Sequence, residues 1–351
     1  MNGPLSMAAE VPARDAGTGG RASAGGVRVQ APGRLHLGFL DPAGTLGRRF
    51  GSLGLVVCGV STLVEVRRSA ADRAGAADPA ALAELPRARA HLEALRQATG
   101  RREPLHLFLD HVLPAHAGLG SGTQLALAVG RAFAALLDVP LATPEIARIT
   151  GRGLRSGVGI AGFDHGGLLL DGGPRADGTP APVLSRLALP AQWRIVLALD
   201  PRQRGLSGAQ EKAALAALPP LPRAAAAEIC HEVLMRVLPG AAGGEFAPFA
   251  AGLTRMQALL GEHFAPAQQG RRYASAAVGR VIEWIGARTA AAVGQSSWGP
   301  TGFAIVPSAS DADAAVAAAR AAGIVDEDVE LRIVRARDRG AVVSPLASPS
   351  A

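Results

Sequence analysis

A glycine-rich segment, PAHAGLGSGTQ at residues 114–124, combines residue types that can bind an anion. Its glycines let the backbone approach a ligand closely, and its hydroxyl side chains can donate hydrogen bonds. The apolar run that follows predicts a helix whose free backbone NH groups point at the same place. The same pattern also fits a glycine turn that only begins a helix. We predict a phosphate or pyrophosphate site built from Gly118, Leu119, Gly120, Ser121, Gly122 and Thr123.

The segment differs from the two common glycine motifs that bind nucleotides. It lacks the lysine of the P-loop pattern GxxxxGK[ST], and its glycine spacing does not match the dinucleotide fingerprint GxGxxG. Lys212 is the only lysine in the chain. Both of those nucleotide-binding folds are therefore disfavoured.

Charged residues in two other glycine-containing segments could complete an anion site. In RLHLGFLD, strand alternation puts Arg34 and His36 on one face, with Asp41 at the end. That arrangement could bind phosphate and a metal ion, or it could be a solvated strand face. In SGVGIAGFDHGG at residues 156–167, Asp164 could hold magnesium or accept a proton, or it could lie in an exposed turn that enters a strand. Their positions beside the ligand-binding motifs suggest that both aspartates belong to a metal site.

Alternating and helical patterns predict the elements that must position these residues. Four short strands, VRVQA, RLHLGF, GLVVCG and STLVEV, are expected between residues 27 and 66. A helix is expected from Ala80 to Thr99 after the N-cap Asp78, and another after the N-cap Thr143, which a proline follows. Helices dominate between residues 208 and 286. Further strands are expected at residues 105–112, 166–170, 193–199 and 329–334.

Length and composition narrow the class of protein. A chain of 351 residues usually divides into two lobes, and no apolar run reaches the roughly 18 residues that a membrane helix needs. The formal net charge of +7 favours anionic ligands, whereas 4% aromatic residues and scattered arginines disfavour nucleic acid. Cys58 and Cys230 indicate neither a disulfide framework nor a metal motif. Residues 1–26 contain no signal-peptide core and are expected to be the disordered leader of a cytoplasmic protein.

Five segments together resemble the β-ribofuranosylaminobenzene 5'-phosphate synthase family, a branch of the GHMP kinase superfamily: APGRLHLGFLD, GLGSGTQLALAVGRA, SGVGIAGFDHGGLLLDGG, RGLSGAQE and GQSSWGPTGFA. Their order and spacing span residues 27–334. The resemblance implies an α+β, GHMP kinase-like fold with two lobes. A ribosomal protein S5 domain 2-like N-terminal lobe would occupy residues 27–190 and an α/β C-terminal lobe residues 191–343, with a frayed tail at 344–351.

The resemblance also implies an activity. Members of this family condense phosphoribosyl pyrophosphate with 4-aminobenzoate in methanopterin biosynthesis, and they release pyrophosphate and carbon dioxide. A variant of the family accepts 4-hydroxybenzoate. The reaction would need Mg²⁺ and no organic cofactor, and a homodimer is expected. The resemblance assigns candidate catalytic residues (Arg34, His36, Asp41 and Asp164) and candidate substrate-binding residues (Ser296, Ser297 and Trp298).

Two other functions remain open from the sequence. Many members of the superfamily are ATP-dependent small-molecule kinases with a catalytic aspartate in a segment like SGxD. Gly159 occupies that place here and cannot accept a proton, which weakens the kinase alternative without excluding it. A non-catalytic protein that binds a phosphorylated metabolite is the other alternative. Trp298 could wall an aromatic substrate or lie in the core, and RGLSGAQE could reach the site through Arg204, Ser207 and Glu211.

Overall fold

The computed structural model describes residues 25–175, 179, 181–206 and 208–347. Residues 1–24 of the predicted leader, residues 348–351 of the predicted tail and Ser207 fall outside this set. The described part forms two β-sheets with helices packed against them, which confirms the α+β prediction. Within that part, no helix is both long enough and apolar enough to cross a lipid bilayer.

The first sheet carries the longest strands and most of the N-terminal half. It contains β1 (Gly26–Asp41), β2 (Phe50–Arg68), β3 (Arg73–Ala76), β4 (Leu105–His111), β5 (Leu168–Asp171) and β6 (Val183–Leu187). β2 pairs antiparallel with β1 and with β4, and β3 lies parallel to β4. A different stretch of β2 pairs with β5, which in turn pairs with β6.

β1 and β2 correct the prediction of four short strands. Each is one continuous strand, because irregularities in the β1–β2 pairing after Pro32 and His36 shift the register without ending the ladder. Gly38 has φ +138°, a conformation that suits glycine, and an added Cβ there would collide with Leu260. Gly38 therefore lets β1 bend and lets Leu260 pack closely against it, whereas a turn had been expected here.

Four helices pack against the first sheet: α1 (Pro79–Thr99), α2 (Ser121–Leu137), α3 (Thr143–Ile149) and α4 (Val158–His165). The predicted cap of α1 is confirmed, since the Asp78 carboxylate accepts a hydrogen bond from the Ala81 backbone NH at 2.7 Å. Apolar residues of α1 and α2, such as Leu95 and Phe133, are buried in one core cluster with the sheet. Each such side chain contributes about 1.5–3 kcal/mol by leaving water, which fixes α2 and the loop before it.

The predicted N-cap of α3 was wrong, and so was the alternative of an exposed turn around Asp164. Ala142, not Thr143, is the N-cap residue of α3, because the Thr143 hydroxyl donates a hydrogen bond to Asp164 Oδ1 at 2.6 Å instead of capping its own helix. The segment read as a possible turn into a strand is helical over Val158–His165, and β5 begins only at Leu168. A tertiary hydrogen bond and a buried helix face overrode the local pattern in both places.

The second sheet belongs to the C-terminal half. It contains β7 (Arg194–Leu199), β8 (Ala292–Gln295), β9 (Gly302–Val306) and β10 (Glu330–Val334), paired antiparallel in the order β10-β7-β9-β8. Its helices are α5 (Gly208–Ala217), α6 (Arg223–Glu232), α7 (Leu238–Gly243), α8 (Phe246–Phe264), α9 (Ala276–Gly286) and α10 (Ala309–Ala321). One core cluster joins Leu35 and Leu55 of the first sheet to Ile195, Phe249 and Phe303 of this half. The two lobes therefore share a core.

A last strand, β11 (Val342–Leu346), returns to the first sheet and pairs antiparallel with β1, so that Gly26 lies opposite Leu346. This corrects the predicted lobe boundary at residue 343 and the predicted frayed tail over residues 344–346. The physical reason is the outer edge of β1, whose backbone groups would otherwise lack partners.

Candidate functional site

The glycine-rich segment forms the loop that enters α2, as predicted. Gly118 and Gly120 have φ values of +90° and +82°, which side-chain-bearing residues rarely adopt. The Gly120 carbonyl accepts hydrogen bonds from the NH groups of Thr123 and Gln124, each at 3.0 Å. The earlier amides at the start of α2 have no acceptor within the helix, so they and the positive end of the helix dipole remain available to an anion.

This loop borders a cleft of about 550 Å³. Nine of the residues predicted for the site line the cleft: Arg34, His36, Gly118, Gly120, Ser121, Gly122, Thr123, Ser297 and Trp298. Leu119 and Ser296 are buried just behind it. Three segments that are far apart in the sequence thus meet at the cleft. They are the glycine-rich loop at residues 118–123, called the phosphate loop below, the part of β1 with Arg34 and His36, and the loop between β8 and β9.

Arg34 is half-buried and holds the phosphate loop in place. Its backbone NH donates to the Leu119 carbonyl at 3.0 Å, and its Nη1 donates to the Gly118 carbonyl at 2.8 Å. Burial lowers the pKa of Arg34 to about 10, an effect that the charge of Glu211 opposes, so the guanidinium stays protonated at neutral pH. Its buried Nε has no hydrogen-bond partner. Such a nitrogen is costly to leave unpaired and is well placed for an anionic ligand.

His36 is a neutral imidazole in this site. Burial, together with the nearby positive charges of Arg34 and Arg155, lowers its pKa to about 3. Its ring packs edge-on against Phe39, with the ring centres 4.6 Å apart, and its buried Nε2 has no partner. A neutral ring whose tautomer leaves Nε2 free could accept a hydrogen bond from a hydroxyl or amino group in the cleft.

The loop between β8 and β9 contains a buried support, Ser296, and two residues that line the cleft. The Ser296 hydroxyl donates to the Gly118 carbonyl at 2.7 Å and accepts from the His36 backbone NH at 2.9 Å, so it ties β1 to the phosphate loop. Ser297, with φ +54°, and Trp298 reach the cleft. Trp298 is also largely buried against Phe264, with ring centres 4.6 Å apart. Trp298 is therefore a core residue whose ring also lines the cleft, and its contact with an aromatic substrate stays a prediction.

Sequence reasoning missed three arginines of the cleft: Arg87, Arg152 and Arg155. Arg155 donates to Glu211 Oε2 at 2.6 Å, and its Nη1 is buried without a partner, as is the Nε of Arg152. Arg152 and Arg155 lie in the glycine-containing stretch GRGLRSG before α4, which was the available signal. Arg87 comes from the middle of α1 and had no local signal.

Two histidines stand behind these arginines. His91 Nε2 lies 3.4 Å from Arg152 Nη2, and His116 Nε2 lies 3.4 Å from Arg87 Nη2. Burial, followed by the charges of Arg152 and Arg87, lowers the pKa of His91 to about 4, and burial also lowers the pKa of His116. Neutral histidines can orient the guanidinium groups without cancelling their charge.

Asp41 does not take part in the cleft, which corrects its predicted role. Its carboxylate is buried in the turn after β1 and accepts hydrogen bonds from Ala43 NH, Gly44 NH, Thr45 Oγ1 and Leu46 NH, at 3.2, 2.8, 3.2 and 2.7 Å respectively. Those donors use the lone pairs that a metal ion would need. Asp41 therefore shapes the turn between β1 and β2. The neighbouring Arg48 and Arg49 donate to carbonyls of Gly173 and Pro42 and do not line the cleft either.

Asp164 is also outside the cleft. It is exposed at the end of α4, where its Oδ1 accepts the hydrogen bond from Thr143. The described residues contain no group of three or more histidine, cysteine, aspartate or glutamate side chains that could hold a metal ion. Among the described lining residues, Glu211 is the only carboxylate. Magnesium favours several oxygen ligands, so this donor set does not fit a metal site built by the protein alone.

Gly159, the position at which the sequence resemblance places the base of a kinase, lines the cleft. A Cβ at this position would lie 3.3 Å from Thr123 Cγ2, so the place of a larger side chain is partly taken by the start of α2. The Gly159 carbonyl also accepts a hydrogen bond from Gln124 Nε2 at 3.0 Å. This part of the cleft therefore offers no group that could deprotonate an acceptor hydroxyl.

Comparison with known proteins places these features in a family. Residues 87–167 match the model of the GHMP kinases N terminal domain, and residues 237–325 match that of the GHMP kinases C terminal domain. Beta-ribofuranosylphenol 5'-phosphate synthase of Archaeoglobus fulgidus is 35% identical over 298 residues, which cover 80% of this chain and 88% of that protein. The protein of the same name from Methanothermobacter thermautotrophicus is 29% identical, with 79% and 88% covered.

Solved structures share the fold at low sequence identity. Homoserine kinase of Cytophaga hutchinsonii superposes with a TM-score of 0.62 at 17% identity, covering 92% of this chain and 99% of that one. A mevalonate 5-diphosphate decarboxylase superposes with a TM-score of 0.65 at 14% identity, covering 93% and 98%. These matches show the fold alone, and they confirm the predicted GHMP kinase-like architecture.

Proposed function

The chain belongs to the beta-ribofuranosylphenol 5'-phosphate synthase family within the GHMP kinase superfamily, and from this we propose that it condenses phosphoribosyl pyrophosphate with a 4-substituted benzoate. The observation that carries the proposal is that Arg34, Arg152 and Arg155 line the same cleft as the phosphate loop, each with an unpartnered buried nitrogen. Such an arrangement suits a substrate with several phosphate groups.

The departure of pyrophosphate is the step that the cleft supports most directly. The bond between the anomeric carbon and the pyrophosphate oxygen breaks, and its electron pair leaves with pyrophosphate while positive charge develops on the sugar. Guanidinium groups and the free amides at the start of α2 stabilise the growing negative charge. Because Ser296 and Arg34 both hold the Gly118 carbonyl, these donors are fixed before the substrate binds.

The aromatic substrate would lie against Phe39, His36 and Trp298, which form the ring-bearing wall of the cleft. The ring carbon that bears the carboxylate forms the new bond to the anomeric carbon, and the electron pair of the broken bond to carbon dioxide returns to the ring. His36 Nε2 would accept a hydrogen bond from the 4-substituent and so turn the correct ring carbon towards the sugar.

The name of the relatives favours a hydroxyl group as that substituent. A ribofuranosylphenol arises from 4-hydroxybenzoate, whereas 4-aminobenzoate would give the aminobenzene product. We therefore propose 4-hydroxybenzoate as the first acid to test, with 4-aminobenzoate as the comparison. The product would serve the biosynthesis of a methanopterin-type cofactor, and the enzyme would be a cytoplasmic homodimer.

We propose that Mg²⁺ enters as a complex with the pyrophosphate of the substrate, because the cleft lacks the carboxylates of a resident site. Bound in this way, magnesium would add charge neutralisation to that of the arginines. The protein's own groups bind, orient and shield the reactants.

The test incubates the purified protein with phosphoribosyl pyrophosphate, Mg²⁺ and either acid labelled in its carboxyl group, and it counts released carbon dioxide. Release that depends on both substrates supports the proposal, and the ratio of the two rates identifies the acid. Absence of release with either acid, together with ATP consumption on adding a hydroxyl acceptor, would favour the kinase alternative. Binding of phosphoribosyl pyrophosphate without turnover would favour the non-catalytic one.

A further inference from the structure

The arginines of the cleft form two groups, and one member of each group contacts a different part of the phosphate loop. The first group is Arg34 and Arg155. A Cβ on Gly120 would lie 3.3 Å from Arg34 Cγ, so Arg34 packs on that residue. The second group is Arg87 and Arg152, and a Cβ on Gly122 would lie 3.3 Å from Arg152 Nη1. Two cationic groups on one loop suit a ligand with anionic groups at both ends.

The first arginine group lies beside the ring-bearing wall. Arg34 and His36 belong to the same strand, and the charges of Arg34 and Arg155 both act on the imidazole of His36. His36 packs on Phe39. An aromatic substrate in this part of the cleft would therefore have Arg34 and Arg155 as its cationic neighbours.

The second arginine group has different surroundings. Arg152 is held by His91 and Arg87 by His116, and the carboxylate closest to this pair is Glu84, 2.8 Å from Arg87. Because the pKa of each histidine is lowered, both are neutral at neutral pH and do not repel the arginines. The Nε of Arg152 is buried without a partner. Arg152 thus keeps a cationic donor for an anion, whereas Arg87 shares its charge with Glu84.

The chemistry of phosphoribosyl pyrophosphate decides which anion each group binds. The attacking ring and the departing pyrophosphate both meet the anomeric carbon, so the pyrophosphate must lie at the end of the cleft that holds the ring. The 5-phosphate is attached at the opposite end of the sugar. Resting on the function proposed above, we infer that Arg87 and Arg152 bind the 5-phosphate, while Arg34, Arg155 and the Gly118–Gly120 part of the loop bind the pyrophosphate.

Calorimetric titration with the two halves of the substrate tests this assignment. Arg152→Gln and Arg87→Gln should each weaken the binding of ribose 5-phosphate about tenfold or more, and change that of pyrophosphate by less than about threefold. Arg155→Gln should show the reverse pattern. Arg148→Gln on α3 and Arg89→Gln on α1 are matched controls, because both arginines are exposed near the tested ones and do not line the cleft.

The outcomes separate this inference from the proposed function. If Arg152→Gln weakened pyrophosphate binding and left ribose 5-phosphate unchanged, the assignment would be overturned and the proposed reaction would stand. Wild-type protein that binds phosphoribosyl pyrophosphate but not ribose 5-phosphate would overturn it as well. Wild-type protein that does not bind phosphoribosyl pyrophosphate would instead contradict the proposed function itself.

Discussion

The middle and the end of β1 carry polar residues that look equally functional in the sequence and differ completely in the structure. Arg34 and His36, in the middle of the strand, lie beside the cleft, and each keeps a buried nitrogen without a partner. Asp41, at the end of the strand, accepts four hydrogen bonds from its own turn. His36 and Asp41 are both buried, so burial alone does not separate the two positions.

The difference lies in whether the buried polar groups have hydrogen-bond partners within the protein. A saturated carboxylate stabilises the folded chain, because every donor around it is satisfied. A buried nitrogen without a partner destabilises the chain until a ligand supplies the missing acceptor. We therefore expect Arg34 and His36 in the middle of β1 to control turnover, and Asp41 at its end to control stability.

Substitution of Arg34 should give the largest effect. Arg34→Gln should lower kcat/KM for carbon dioxide release about a hundredfold to a thousandfold, because it removes the charge that stabilises the leaving pyrophosphate. Arg48→Gln is the control, since Arg48 lies beyond the same strand and donates to Gly173 outside the cleft. Equal kcat/KM values for the two variants, measured on protein that melts normally, would show that Arg34 does not act in turnover.

Substitution of Asp41 should act on stability. Asp41→Asn replaces one accepting oxygen by an NH₂ group, which would face the donors of the turn, and it should lower the free energy of unfolding by about 3 kcal/mol. The kcat of the folded fraction should change less than about threefold. Urea denaturation gives the first quantity and initial rates give the second. A variant that is fully stable but has lost turnover would contradict this expectation and support a catalytic role for Asp41.

The pH dependence of stability extends the comparison to the second arginine group. The folded pKa of His91 is about 4, below the ordinary value of about 6.5. Between these values the unfolded chain binds a proton that the folded chain does not, so stability falls as the pH falls through this window. Between pH 7 and pH 5 the unmodified protein should lose about 2 kcal/mol more than His91→Gln does. Identical losses in urea unfolding would show that His91 titrates normally.

Asp164 should show the smallest effect. Asp164→Asn weakens one exposed hydrogen bond from Thr143, so we expect a loss of less than about 1 kcal/mol and an unchanged kcat. A large fall in kcat would revive the predicted metal role, because nothing that Asp164 contacts reaches the cleft. Parallel melting curves and initial rates for Asp164→Asn and Asp41→Asn make this check.

The sequence allowed the loop before α2, the Asp78 cap and the α+β class to be predicted, because each depends on neighbouring residues. The continuous strands β1 and β2 were missed, since bulges and bends look like turns when the partner strand is unknown. Arg87 had no local signal, and the glycine-containing stretch that carries Arg152 was not recognised as one. Arg87 comes from α1 and Arg152 from the stretch before α4, and only the packing of α1 and α3 beside α2 brings them to one cleft. Asp41 was misassigned because three of its four partners are backbone NH groups, which no residue pattern displays.

The return of β11 to the edge of β1 has a consequence for how the chain is made. Because β11 follows every other strand of the first sheet in the chain, one edge of β1 stays open until residues 342–346 have been made. Until then, the strand that carries Arg34 and His36 is exposed to edge-to-edge pairing with other nascent chains. Truncation before residue 342 should therefore yield aggregated protein, although every residue that lines the cleft would still be present.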